Sequence, residues 1–146
     1  MTRRDVWVAV LASVATASVA WAAQAPHQPR MPSGVFDWTK LKVDQTAVGE
    51  RRAIFDSPST LMDQVECHVT TVKAGLAPHA PHKHPEEELI IVKEGTLEVT
   101  LNETETTTIG PGSVIFAASN EMHGMKNVGD GPATYHVFKW RARDAK

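Results

Sequence analysis

The sequence predicts an all-β protein, an antiparallel jelly roll closed or built from two sheets, and three observations carry that expectation. Short β-type runs follow one another from Gly34 onward, with turn residues roughly every 8 to 12 positions, the spacing of sandwiches and barrels. Leu97, Val99 and Leu101 alternate with Thr96, Glu98 and Thr100, so that segment has one apolar and one polar face, as a half-buried strand does. No convincing amphipathic helix interrupts the chain after residue 33.

The N-terminus is a separate object. Arg3 and Arg4 precede an apolar stretch over residues 6–20, and Ala20-Trp21-Ala22 offers a small-x-small cleavage site, so residues 1–22 read as a secretory signal peptide. The apolar stretch falls short of the roughly 20 residues that span a bilayer, although an uncleaved N-terminal anchor is the competing reading. Residues 2–7 resemble, imperfectly, the twin-arginine export signal, which carries folded proteins across a bacterial inner membrane. The expected location is therefore the bacterial periplasm or the exterior, with no stable membrane anchor after cleavage. Residues 23–33 are proline-rich and poor in apolar side chains, a flexible leader in which His27 is solvated.

The remainder, 34–146, is expected to be one domain, consistent with a chain of 146 residues that is 42% hydrophobic and carries nine glycines and nine prolines. Strands are predicted around 35–38, 51–55, 65–73, 89–92, 96–101, 106–109, 113–116, 123–127 and 133–140. Asn102-Glu103 supplies a hairpin turn, and Gly110-Pro111-Gly112 and Gly129-Asp130-Gly131 are turns. The chain has neither a P-loop nor a GxGxxG fingerprint, and its net charge of -2 with no basic patch argues against a nucleic-acid partner. Asn102-Glu103-Thr104 matches a glycosylation sequon by chance, in a tight turn of an exported bacterial protein.

The chemistry concentrates in His82-Lys83-His84-Pro85-Glu86-Glu87-Glu88, followed by Gly95 and by His123. Residues two apart on extended chain share a face, so His82 and His84 can converge on one ion, and Glu88 keeps the even offset. Pro85 lets the chain bend between them, and Lys93-Glu94-Gly95 ends the next strand in a turn. A solvated His-rich tract over 79–84 would explain neither the spaced glutamate nor the later His123.

These residues resemble the two signatures of the cupin superfamily. From Gly75 to Gly95 the chain shows histidine, one residue, histidine, three residues, glutamate, six residues, glycine, with six residues between Gly75 and His82 where five are usual. From Gly112 to Asn127 it shows the leading glycine, His123 and the closing asparagine, with Ala118 and Asn120 where proline and glycine are usual. The match extends over about residues 62–140. The resemblance implies a double-stranded β-helix barrel, His82, His84, Glu88 and His123 as metal ligands, a small-molecule ligand or substrate, and a homodimer.

Four protein ligands would close a tetrahedral zinc site, whereas octahedral Mn²⁺ or Fe²⁺ keeps two positions open, so manganese or iron is favoured over zinc, nickel, cobalt or copper. The expected function is a metal-dependent oxidoreductase, dioxygenase-like, acting on a small molecule; the alternatives are a noncatalytic periplasmic binding or sensing module and a purely structural metal site. No catalytic acid or base is assignable from the sequence.

Cys67 is the sole cysteine, which excludes an internal disulfide, and it shares a strand face with Val65 and Val69 as a core thiol, opposite Glu66, His68 and Thr70. A pocket thiol beside the metal is the minority reading. His68, His79, His136 and Tyr135 are candidates to face the pocket. Trp38, Phe55, Phe116, Phe138 and Trp140 are assigned to core or dimer packing.

Overall fold

The computed structural model describes residues 30–102 and 104–143; the expected signal peptide and residues 23–29 of the expected leader lie outside the described residues. Nine strands follow in order: β1 Asp44–Thr46, β2 Gly49–Ser57, β3 Met62–Val72, β4 Glu87–Glu94, β5 Leu97–Leu101, β6 Glu105–Ile109, β7 Val114–Ala117, β8 His123–Asn127 and β9 Ala133–Ala142. They form two antiparallel sheets, β1-β2-β3-β9-β4-β7 and β6-β5-β8, the arrangement of a jelly roll. No described helix is long and apolar enough to cross a membrane.

Turn chemistry fixes where these strands end. Asn102, between β5 and β6, has φ 49°, and Asn120, before β8, has φ 60°, the left-handed region that asparagine tolerates. Gly95 has φ 85°, and a Cβ there would fall 2.5 Å from the Ala133 Cα, so both backbone shape and close approach require glycine.

Alternation sorts each strand into two faces. Ile90 and Val92 of β4, Leu97 and Val99 of β5, Ile115 of β7 and Val137 of β9 belong to the buried apolar cluster between the sheets. Asn127, wholly buried at the end of β8, donates from Nδ2 to the Val72 and Gly131 carbonyls at 2.9 and 2.8 Å and accepts the Gly129 N–H at 3.0 Å. Both of its N–H donors and one lone pair of its oxygen go into holding the β8–β9 connection against β3.

The structure corrects the sequence reading in three places. Residues 35–38 form no strand: the free edge of β2 is taken by β1, a strand the sequence did not announce, and Trp38–Lys40 instead make a 3₁₀ turn capped by the Asp37 side chain. Phe116 and Trp38, assigned to core or dimer packing, are 52% and 42% exposed, which removes the core half of that assignment; Trp38 lies beneath the Arg52 guanidinium, 4.5 Å from its ring centroid. The segment carrying His82 and His84 is a loop leading into β4, joined to β8 at the histidines by an isolated bridge between His82 and His123.

Candidate metal centre

Three chain segments meet at one end of the barrel. His82 and His123 exchange both backbone hydrogen bonds at 2.9 Å, which sets the His82 loop against β8 of the smaller sheet. Gly124 allows that approach, since a Cβ there would stand 2.9–3.0 Å from three atoms of Pro81. The loop is held from its other side by Asn120, whose N–H donates to the His84 carbonyl at 2.8 Å, and by the Ser119 hydroxyl, which donates to the Pro85 carbonyl at 2.7 Å. Glu88 arrives on β4, opposite Ala117 of β7.

His82, His84 and His123 each offer a ring nitrogen, and these atoms lie within 4.8 Å of one another. Glu88 sets one oxygen 3.4 Å from His84 Nε2 and the other 3.9 Å from His123 Nε2. The tautomers follow from their other partners. His84 Nδ1 sits 3.0 Å from the Glu86 carbonyl and His123 Nδ1 sits 3.0 Å from the Glu121 carbonyl; carbonyls only accept, so both Nδ1 atoms carry the proton and both Nε2 atoms keep a lone pair.

Those lone pairs have no other use. His82 Nδ1, His84 Nε2 and His123 Nε2 are buried with no hydrogen-bond partner among the described residues, and each such orphan costs about 1–3 kcal/mol when nothing satisfies it. Burial, followed by the neighbouring imidazoles, lowers the His82 pKa and favours its neutral, ligating form. Convergent imidazoles with fixed tautomers beside a carboxylate fit a divalent transition metal.

Beside this cluster opens a cavity of about 330 Å³, with His82 and Glu88 in its wall. His68, His79 and Tyr135 also line it, as candidates from the sequence; burial raises the Tyr135 pKa, so the phenol stays protonated. His136 is not in the wall and pairs in register with Val69 and Ile91. Cys67 is buried outside the wall, its thiol pushed up by burial to about 11, an inert core group.

Sequence reasoning missed the cavity's ionic cluster. Glu66, only 7% exposed, contacts Arg51 Nη2 and His68 Nδ1 through one oxygen and Lys139 Nζ through the other, the last two at 3.0 and 2.9 Å. The His68 hydrogen bond, with the Lys139 ammonium, overcomes burial and holds the Glu66 carboxyl down to about 2. Glu66 and His68 were legible as a polar face opposite Cys67; Lys139 was not, because only the β3–β9 register places it across from Glu66.

The sequence profile of the Cupin domain family, Cupin_2, matches residues 68–139, which include His82, His84, Glu88 and His123. The chain belongs to the cupin superfamily. Solved cupins share its architecture. An RmlC-like cupin from Shewanella frigidimarina is 14% identical with a TM-score of 0.61, covering 80% of this chain and 96% of its own. The polyketide cyclase RemF from Streptomyces resistomycificus is 23% identical with a TM-score of 0.61, covering 79% and 83%. The cupin domain of an XRE-family transcriptional regulator from Enterobacter cloacae is 21% identical with a TM-score of 0.55, covering 64% and 96%. No curated protein gives a significant sequence match. At these identities the likeness shows the cupin fold, on which enzymes and regulators both occur.

Proposed function

We propose that this cupin is a metal-dependent enzyme acting on a small molecule, with manganese or iron held by His82, His84, Glu88 and His123. The observation that carries the reading is the convergence of three unpartnered imidazole nitrogens with the Glu88 carboxylate, beside a partly enclosed cavity that His82 and Glu88 line. When bound, the ion would supply Lewis acidity or dioxygen activation. The chain supplies the rest. Glu66, ionised at neutral pH, must accept the Nδ1 proton of His68, which fixes the ring and leaves its Nε2 without a partner among the described residues that line the cavity. The His68–Glu66 pair, a ring held in one orientation in the cavity wall, is what favours an enzyme over a holder of ligands.

A noncatalytic binding or sensing module is the second reading, favoured by the likeness to the cupin domain of a transcriptional regulator. Elemental analysis of protein from its native export compartment, followed by oxygen-consumption screens, separates the readings. One equivalent of iron or manganese with turnover supports the enzyme; tight binding with no chemical change supports the module; zinc with no exchangeable water supports a structural site. We place the protein in the periplasm or outside the cell, and replacing Arg3 and Arg4 by lysine is expected to abolish export if the twin-arginine route carries it.

A further inference from the structure

We propose that the Arg51–Lys139–His68 end of the cavity is a second binding subsite, one that takes the carboxylate of a substrate whose other end lies at the metal. The inference rests on the metal reading and names the class of substrate: a small organic acid with a metal-seeking group at one end and a second carboxylate at the other.

The cluster is wider than Glu66 requires. Arg51 touches Glu66 through Nη2 alone, and Lys139 meets it through one contact, so the remaining N–H groups of both cations have no partner among the described residues. The Arg51 and Lys139 side chains are 37% and 25% exposed, and both line the cavity that holds His82 and Glu88. His68 is fixed by Glu66 through Nδ1, which leaves its Nε2 without a partner. These are donors and a titratable ring arranged around an open space, the pattern of a carboxylate site rather than of a finished ion pair.

Charge points the same way. Glu50 also lines the cavity but is drawn off to Arg52 and Gln45. With a divalent ion bound, Arg51, Lys139 and the ion outweigh Glu66 and Glu88, and positive charge in excess within a partly enclosed wall attracts an anion. A volume of about 330 Å³ stands at the small end of ligand sites and suits an organic acid of few carbons.

The test uses manganese-loaded protein and calorimetry with three matched pairs of 2-hydroxy acids. Each pair shares its chelating end and differs in the distal group: 2-hydroxysuccinate against 2-hydroxybutyrate, 2-hydroxyglutarate against 2-hydroxyvalerate, 2-hydroxyadipate against 2-hydroxyhexanoate. At the best-fitting length the diacid is expected to bind at least tenfold tighter than its partner. Lys139→Met should reduce that preference to less than threefold while leaving monoacid affinity unchanged, and Arg51→Gln should do the same. Raising the salt should weaken the diacid selectively. Equal binding of diacid and monoacid at every length overturns the inference in wild-type protein, whether or not either variant folds. Elemental analysis of samples offered manganese and, separately, iron keeps the two ideas apart: a protein that takes up neither refutes the metal reading, whereas a loaded protein without diacid preference refutes only the subsite.

Discussion

Replacing Glu66 by glutamine removes the charge at the centre of the cavity's ionic cluster while keeping its shape, and the consequence is calculable. The Glu66 carboxyl is held from an ordinary 4.5 down to about 2, chiefly by the His68 hydrogen bond and then by Lys139. At about 1.36 kcal/mol per pK unit the full shift is worth roughly 3 kcal/mol. Arg51 and Lys139 are 37% and 25% exposed, so solvent screening cuts the realised amount to about 1–2 kcal/mol. The sign follows from the direction of the shift. A depressed carboxyl contributes stability that is complete above its unfolded value of 4.5 and is lost as the pH falls through about 2. The assay is urea unfolding of chelator-treated wild type and Glu66→Gln, followed by the fluorescence of Trp38 and Trp140, at pH 7, 5 and 3. The variant should be weaker by about 1–2 kcal/mol at pH 7 and 5, a drop in Tm of roughly 2–8 °C for a chain of this size, and the gap should narrow at pH 3. A difference below 0.5 kcal/mol at pH 7, or a gap of equal size at pH 3, would refute the reasoning.

Four further outcomes are expected. His84→Ala and His123→Ala should each lower bound metal by at least tenfold in elemental analysis, while His27→Ala, in the leader, leaves it unchanged; metal retained in both ligand variants would sink the site. Gly124→Ala should push Pro81 and the attached His82 outward, weakening metal affinity several-fold in a chelator competition with little loss of secondary structure by circular dichroism. Cys67 should resist a thiol reagent in the folded protein and react fully in urea; rapid labelling under native conditions would contradict its burial. Val114, Phe116 and Ile91, 59%, 52% and 37% exposed on the adjacent strands β7 and β4, mark the face on which we place the expected homodimer, so Phe116→Asp should shift a dimer to monomer in sedimentation velocity.

The parts of this molecule that were legible in the sequence are the local ones. Asn102, Asn120, Gly95 and Gly112 announce turns because a positive φ is written into the residue type, and the strands between them fall where the turns leave room. The gathering of His82, His84 and Glu88 at the candidate metal site was legible because they sit within one short segment. Its geometry was not: the histidine segment is a loop, and its placement against His123 depends on the missing Cβ of Gly124, a contact between distant parts of the chain. The same limit hid Lys139 from Glu66, since alternation names the face of a strand but not its register with a partner far along the chain. The error at residues 35–38 has another cause. Val35 and Phe36 have strand propensity, but a strand needs an open edge, and β1 occupies it with the unremarkable residues Asp44-Gln45-Thr46.

The four candidate ligand side chains link the two sheets. Glu88 stands on β4 of the six-stranded sheet and His123 on β8 of the three-stranded one, with His82 and His84 on the loop between them. An ion bound by all four would therefore act as a rivet across the seam of the barrel. At a free metal concentration a thousand times the dissociation constant, such a rivet adds about 4 kcal/mol to the folded state. Starved of metal, the seam would be the first line to part, and the protein's survival among proteases would follow the supply of the ion it uses.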